Sequence, residues 1–148
     1  MANTPGGEPV VYHTPVLLQE VVQGLRVSAT GRYIDCTVGE GGHAQAVLEA
    51  GAPGCRLLGL DADPRALETA QVRLGPYGER ATLVHRSYAA VEEVAQRLGF
   101  LGVDGALMDL GLSSLQLEGE ERGFSFRLDT PLDMRFDPTQ GRTAGEIL

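Results

Sequence analysis

The stretch from Tyr33 to Ala44 constrains the fold of this chain more than any other. It begins as a short apolar strand, continues through three glycines within four positions, and leads into an apolar-periodic segment that ends at Ala50. This order is typical of a strand, a tight turn and a helix N-terminus, where free backbone N–H groups meet a ligand. Gly39, Gly41 and Ala44 also fit the G-x-G-x-x-G/A pattern of Rossmann-type sites. The stretch therefore predicts a nucleotide-like cofactor, without specifying which one.

Acidic residues in and after this loop favour a positively charged cofactor. Asp35 lies near the end of the strand, Glu40 lies between the glycines, and Asp61 follows twenty positions after Gly41. A pyrophosphate within about 4 Å of one carboxylate would be opposed by roughly 4 kcal/mol at an effective dielectric constant near 20, and a cation would be attracted similarly. S-adenosylmethionine carries a sulfonium, an ammonium and a ribose but no phosphate. Asp35 and Glu40 are predicted to face its methionine end, and Asp61 its ribose hydroxyls. In the alternative, Glu40 points into solvent and Asp35 caps a turn.

Strands and helices alternate along the chain, which predicts an α/β fold with a parallel sheet. Strands are predicted at 33–36, 56–61, 81–85 and 103–110. Helices are predicted at 44–50, at 64–74 with Asp63–Pro64 as its cap, and at 88–98, after a first helix that Thr14 caps and Pro15 begins. In such sheets the ligand binds beyond the carboxyl ends of the strands. Polar residues follow all four strands at that edge: Asp35, Asp61, Ser87 with Tyr88, and Asp109.

The composition indicates one ordinary globular domain. The chain has 148 residues, of which 43% are hydrophobic and 22% charged. It has no apolar run long enough for a membrane span and no signal pattern, so a cytoplasmic location is expected. Cys36 and Cys55 are expected to be buried reduced thiols, and the separated histidines predict no metal site. A net charge of −8 means that an RNA substrate would need a local basic patch.

The residues after Asp109 have a different character. Residues 111–137 are rich in Gly, Ser, Arg, Asp and Phe and show no steady period. Such long irregular segments are usually functional or disordered, and the aromatic residues disfavour disorder, so an ordered active-site segment is predicted. A capping box at Thr143–Glu146 begins a helix just before the last residue, and the fourth strand would be a bare edge. These features predict a fragment of a longer protein with low stability as an isolated monomer.

Five motifs follow one another in the sequence. They read YHTPVLLQE at 12–20, DCTVGEGGH at 35–43, DLGLSSLQ at 109–116, ERGFSFR at 121–127 and PLDMR at 131–135. In this order they resemble the MraW/RsmH family of bacterial ribosomal RNA methyltransferases, from residue 12 to the end. Five ordered motifs are far more specific than one glycine loop.

The resemblance implies a class I S-adenosylmethionine-dependent methyltransferase. Residues 1–11 would be a loose segment, residues 12–112 a Rossmann-like cofactor domain with a partial sheet, and residues 113–148 the active-site segment with the start of an inserted helical substrate domain. The family activity implies methylation of the N4 of a cytidine in 16S rRNA, within the small ribosomal subunit or its assembly intermediate. The oligomeric state stays open, a homo-oligomer included.

The matching positions also imply which residues contact the cofactor. They are Gly41, Gly42, His43, Asp61, Tyr88, Asp109 and Gln116, to which the loop pattern adds Asp35 and Gly39. An aromatic ring at position 88 can stack on adenine. Leu115 stands where the family commonly has proline, a departure that loosens the loop carrying Gln116.

Methylation of a cytosine amine needs a hydrogen-bond acceptor, because the lone pair of the amine is delocalised into the ring. Asp109, Ser113 and Ser114 are the candidate catalytic residues, with the acceptor being Asp109 or a backbone or hydroxyl group at 111–114. Common amino-methyltransferases have Asp/Asn-Pro-Pro-aromatic after this strand, whereas this chain has Asp-Leu-Gly-Leu-Ser-Ser. The identity of the acceptor therefore stays open.

Aromatic and basic residues in the following segment are candidates for holding a flipped base and its phosphates. They are Phe124, Phe126, Arg122, Arg127 and Arg135. In the alternative, the phenylalanines fill the core and the arginines pair with Glu121, Asp129 and Asp133.

Two other functions fit part of the pattern. An NAD-dependent oxidoreductase domain explains the glycines and Asp61, but it leaves Asp35, Glu40 and Asp109 beside phosphates. A non-catalytic fragment would bind the cofactor weakly and turn nothing over.

Overall fold

A parallel β-sheet of four strands organises the part of the chain that this computed structural model describes, residues 15–113, 116–117, 122–127 and 129–148. The elements in chain order are α1 (Leu18–Gly24), β1 (Arg32–Asp35), α2 (Gly42–Ala50), β2 (Arg56–Asp61), α3 (Pro64–Leu74), β3 (Ala81–His85), α4 (Val91–Arg97), β4 (Gly105–Leu107) and α5 (Ala144–Ile147). The strand order is β3-β2-β1-β4, and neighbouring strands are parallel. Within these residues, none of the helices has the length and apolarity to cross a membrane.

Alternate residues of the central strands supply two hydrophobic clusters, one on each face of the sheet. Tyr33 of β1 and Leu57 of β2 pair in register and pack in the cluster that includes residues of α2 and α3. Ile34 and Leu58, the next pair, pack in the cluster that includes residues of α4. Because the central strands are covered on both faces, a ligand has access at the ends of the strands. The two cysteines are buried free thiols, as expected.

Most of the predicted elements are confirmed. Strands at 56–61 and 81–85 and the helix at 64–74 have the predicted bounds. The second helix begins at Gly42, because Gly41 precedes it in the left-handed conformation with φ 84°. After Ser87 the chain forms a 3₁₀ turn at Tyr88–Ala90 before α4.

The predicted bounds of three elements are wrong. The first strand, predicted at 33–36, spans Arg32–Asp35. The fourth strand is confined to Gly105–Leu107 because its partner β1 ends at Asp35, opposite Leu107. The first helix begins at Leu18 rather than at Pro15, since Leu17 takes a left-handed conformation with φ 54°. Thr14, the predicted cap, lies outside the described residues.

Candidate cofactor site

A cavity of about 730 Å³ lies at the carboxyl ends of the strands. Its wall combines the glycine loop after β1, the end of β2, the turn after β3 and the segment after β4, together with Pro15, Val16 and Phe136. Seven of the predicted cofactor residues belong to this wall: Gly39, Gly42, His43, Asp61, Tyr88, Asp109 and Gln116. The polar groups that follow the strands are thus brought to one place.

The glycine loop uses its own N–H groups for internal hydrogen bonds. The N–H of Gly39 donates to Asp61 Oδ2 at 2.8 Å, and the N–H of Gly41 donates to the Val38 carbonyl at 2.8 Å. Gly39 and Gly41 both have positive φ, at 52° and 84°, which favours glycine. A Cβ at Gly42 would collide with the ring of Pro15. The conformation of the loop is therefore fixed by hydrogen bonds and close packing within the protein.

Asp61 lies at the carboxyl end of β2 and joins two loops. Besides the Gly39 N–H, which Oδ2 accepts, its Oδ1 accepts the N–H of Asp63 at 2.9 Å. Burial raises the pKa of Asp61, while the hydrogen bonds from Asp63 and Gly39 lower it. Each carboxylate oxygen keeps capacity for a further donor, such as a hydroxyl group of a ligand.

Asp35 lies beneath the cavity and is not part of its wall. Its side chain is 2% exposed and accepts the N–H of Thr37 at 3.1 Å. Burial raises its pKa to about 7, an effect that the Thr37 hydrogen bond opposes and the nearby Asp61 and Asp109 reinforce. The predicted direct contact between Asp35 and the methionine end therefore does not agree with this placement.

Asp109 is held by its backbone and leaves its carboxylate at the cavity. Its N–H donates to Thr37 Oγ1 at 2.8 Å, and its side chain is 53% exposed. The Nε2 atom of His43 lies 3.6 Å from Asp109 Oδ2. The Nδ1 atom of His43 is buried, and it has no hydrogen-bond partner among the described residues. This pairing of a half-exposed carboxylate with a buried imidazole could not be read from the sequence.

Glu40 and Tyr88 also belong to the cavity wall. Glu40 thus lies at the cavity, and its predicted contact with the methionine end of the cofactor stays a prediction. The ring of Tyr88 is 47% exposed, which leaves a face free for a planar group.

The remaining candidates for catalysis form a local turn after β4. Ser113 donates its N–H to Gln116 Oε1 at 3.0 Å, and Ser113 Oγ accepts the Gln116 N–H at 3.2 Å. Ser113 lines the cavity, and Gln116 is 4% exposed. Ser114 lies outside the described residues.

Arg122 is buried rather than free for RNA. Its side chain is 5% exposed, and its Nη2 lies 3.1 Å from Asp63 Oδ2. The same nitrogen donates to the carbonyls of Arg135 and Phe136, at 3.0 and 2.7 Å. The prediction that Arg122 contacts phosphates does not agree with this burial, because solvent and phosphates do not reach the guanidinium.

The other RNA candidates divide between core and surface. Phe124 is 8% exposed and packs against Phe136, with ring centroids 5.8 Å apart. Arg135 donates to both carboxylate oxygens of Asp133, at 2.8 and 2.6 Å, so the alternative pairing is observed. Phe126 and Arg127 are exposed and keep their candidate role.

Sequence reasoning missed residues that build the site from a distance. Asp63 was predicted only as a helix cap, and it does accept the Arg65 N–H at 3.0 Å. Its second oxygen binds Gln116 and Arg122, far along the chain. Pro15 and Phe136 line the cavity from opposite ends of the described chain. No local pattern in the sequence signals such long-range contacts.

Comparison with known proteins adds the family. The sequence profile of the MraW methylase family matches residues 10–148. The chain belongs to this family. Its relatives include the ribosomal RNA small subunit methyltransferases H of Dehalococcoides mccartyi, 49% identical over 136 residues, and of Symbiobacterium thermophilum, 51% identical over 137 residues. These matches cover 92% and 93% of this MraW-family chain but 39% and 43% of the relatives. The chain thus spans less than half of their length.

Solved structures of methyltransferases share the fold. A SAM-dependent O-methyltransferase from Thermotoga maritima matches with 23% identity and a TM-score of 0.52, over 70% of this chain and 37% of that one. Protein-L-isoaspartate O-methyltransferase matches with 15% identity and a TM-score of 0.55, over 72% of this chain and 33% of that one. The MraW-family chain therefore has the Rossmann-like fold of class I methyltransferases, as predicted.

Proposed function

We propose that this chain is the cofactor-binding portion of an S-adenosylmethionine-dependent methyltransferase that acts on small-subunit ribosomal RNA. The observation that carries the proposal is the hydrogen bond between the Gly39 N–H and Asp61 Oδ2, 2.8 Å long. In a dinucleotide site, the N–H groups of the glycine loop bind phosphate. Here that N–H group is bonded to a carboxylate, which repels phosphate and attracts a cation or a hydroxyl group.

The charges around the cavity fit the cofactor. Glu40, Asp61 and Asp109 all belong to the wall, and Asp35 lies beneath it. S-adenosylmethionine, when bound, supplies an electrophilic methyl group on a positively charged sulfur. Asp61 would accept hydrogen bonds from its ribose hydroxyls, Tyr88 would stack on its adenine, and Glu40 would face its cationic end.

Asp109 is the residue we assign to the substrate amine. Its carboxylate is half exposed at the cavity, and its backbone is fixed by the hydrogen bond to Thr37. An acceptor on the N4 amine of cytidine localises the nitrogen lone pair and receives a proton after transfer. The names of the relatives support small-subunit ribosomal RNA as the substrate. The motif resemblance to the MraW/RsmH family supports the N4 of a 16S rRNA cytidine as the target, within the small subunit or an assembly intermediate. Phe126 and Arg127 are the exposed residues available to contact RNA.

Two measurements test this function. Calorimetry with S-adenosylhomocysteine and with NAD should give binding of the first and none of the second. Transfer of a labelled methyl group from S-adenosylmethionine to undermethylated small subunits should follow when the chain is added. Binding of NAD instead would overturn the proposal. Binding of the cofactor without transfer of the methyl group would support the alternative that the chain is a non-catalytic fragment.

A further inference from the structure

A buried polar network ties the segment after β4 to the turn between β2 and α3. Its members, Asp63, Gln116 and Arg122, are 2%, 4% and 5% exposed. Gln116 Nε2 and Arg122 Nη2 both donate to Asp63 Oδ2, each at 3.1 Å. The other oxygen of Asp63 accepts the N–H of Arg65 and so caps α3. One carboxylate therefore joins a helix N-terminus to two later parts of the chain.

Gln116 and Arg122, the two side chains that donate to Asp63, are each bonded to further residues. Gln116 exchanges hydrogen bonds with Ser113, whose backbone and hydroxyl both take part. Arg122 Nη2 donates to the carbonyls of Arg135 and Phe136, and the Phe136 side chain lines the cavity. Ser113 and Gln116 after β4, and Arg122 with the Arg135–Phe136 backbone, are thus held to the same carboxylate.

The charge of Asp63 makes the network depend on this residue. Within the described part of the chain, Asp63 is the ion-pair partner of the buried Arg122 guanidinium. A buried cation without a counter-charge is strongly unfavourable, so removing Asp63 should expel Arg122 from its site. The segments attached to Arg122 would then lose their place on the cavity.

We propose that Asp63 is a positioning residue that holds two segments against the cofactor cavity: Ser113 with Gln116 after β4, and Arg122 with residues 134–136. Asp63 acts through Gln116 and Arg122. The N–H of Asp63 donates to Asp61 Oδ1 at 2.9 Å. The same turn therefore carries Asp63, which anchors the two segments, and Asp61, the proposed acceptor for the ribose hydroxyls. The link to the cofactor rests on the proposed function, whereas the anchoring of the two segments does not.

Two variants separate anchoring from simple loss of stability. Asp63→Asn keeps the cap of α3, because asparagine is an equally good N-cap, but it places an amide NH₂ against the donors of Gln116 and Arg122. Asp63→Asn combined with Arg122→Met removes both charges and avoids an unpaired buried cation. Val94→Ala is the control. Val94 is fully buried in the cluster that includes α4 and has no part in the network.

The test compares hydrogen exchange, the Gln116 side-chain signal and cofactor affinity. The amides of Gln116 and Met134, which donate to the carbonyls of Ser113 and Arg122, should exchange about tenfold faster relative to those of β2 in both Asp63 variants. The Gln116 NH₂ resonances should shift, and S-adenosylhomocysteine should bind about fivefold more weakly. Val94→Ala should leave the exchange ratio and the affinity unchanged.

The double variant decides the outcome if Asp63→Asn alone does not fold. An unchanged exchange ratio and an unshifted Gln116 signal in the double variant would overturn the proposal. If the double variant binds S-adenosylhomocysteine as tightly as Val94→Ala does, this result would also count against the proposal. If the unaltered chain binds no S-adenosylhomocysteine, the proposed function fails, and hydrogen exchange still tests the anchor.

Discussion

Asp61 Oδ2 accepts a hydrogen bond from the N–H of Gly39 at 2.8 Å, across the floor of the cavity. This bond joins the end of β2 to the glycine loop after β1 and brings a negative charge to the group that binds phosphate in dinucleotide sites. The glycine pattern of such sites is present, but the Gly39 N–H is bonded to a carboxylate instead of being free for a phosphate.

Asp61→Asn should weaken the binding of S-adenosylhomocysteine about tenfold, because hydrogen bonds from the ribose to a charged acceptor become bonds to a neutral one. Calorimetry measures the change. Asp104→Asn is the control, since Asp104 accepts the Arg32 N–H before β4, away from the cavity. Equal affinities for the Asp61 variant and the unaltered chain would exclude Asp61 as the ribose acceptor.

Glu40→Gln should weaken the binding of S-adenosylmethionine by about three- to fivefold, which corresponds to the loss of one partly solvated charge pair. S-adenosylhomocysteine lacks the charge on sulfur, so its affinity should fall less. Competition calorimetry with the two ligands separates these effects. If neither affinity changes, Glu40 points into solvent and the alternative interpretation of its charge holds.

The stability of the chain should depend on the ionisation of Asp35. Burial raises the pKa of this carboxyl from 3.8 to about 7. The folded state therefore keeps a proton that the unfolded chain releases. The stabilisation is complete below the unfolded pKa and is lost as the pH rises towards 7, by roughly 4 kcal/mol in total.

Asp35→Asn should remove this dependence and make the variant more stable than the unaltered chain above pH 7. Urea unfolding at pH values between 5 and 8 measures the slope. Asp133→Asn is the control, because hydrogen bonds from Arg135 lower the pKa of Asp133 to about 2 and place its effect at acid pH. A slope that persists in Asp35→Asn would contradict the assignment.

Gly42→Ala should destabilise the chain by about 1–3 kcal/mol and weaken cofactor binding, because the new methyl group collides with Pro15 at the cavity wall. Gly24→Ala is the matched control. A Cβ at Gly24 meets nothing within 4 Å, so this substitution in α1 should be neutral or stabilising by up to about 1 kcal/mol. Thermal unfolding and calorimetry on both variants provide the comparison.

Phe124→Ala should mainly lower the stability of the chain, whereas Phe126→Ala should mainly lower its affinity for RNA. Phe124 is buried against Phe136, so its loss should cost about 3 kcal/mol of unfolding free energy. Phe126 is fully exposed, so its loss should cost less than about 0.5 kcal/mol and instead lower the affinity for small-subunit RNA. Filter binding and urea unfolding distinguish the two. Unchanged RNA affinity in Phe126→Ala would remove this residue from the interface.

Local patterns predicted the elements and the convergence of their ends. The run from Arg56 to Asp61 and the Asp63–Pro64 cap gave correct bounds, because apolar periodicity and capping act over a few residues. The strand predicted at 103–110 was too long, since its true length depends on where the distant β1 ends. Hydrophobicity alone does not carry that information.

The site was predictable in its acidic groups but not in its buried contacts. Asp61 and Asp109 were found because they follow strands. Arg122 was assigned to RNA because basic side chains contact phosphates, whereas here its guanidinium pairs with Asp63, a partner far away in the sequence. Such pairings depend on tertiary packing, and a single sequence does not indicate them.

The cavity wall includes Pro15 at one end of the described chain and Phe136 near the other. During synthesis, the chain leaves the ribosome from its N-terminus, and the strands can assemble before the last wall residue is available. A nascent chain therefore has no complete pocket until Phe136 has emerged from the exit tunnel. The complete cavity wall is consequently a late feature, which follows formation of the sheet rather than guiding it.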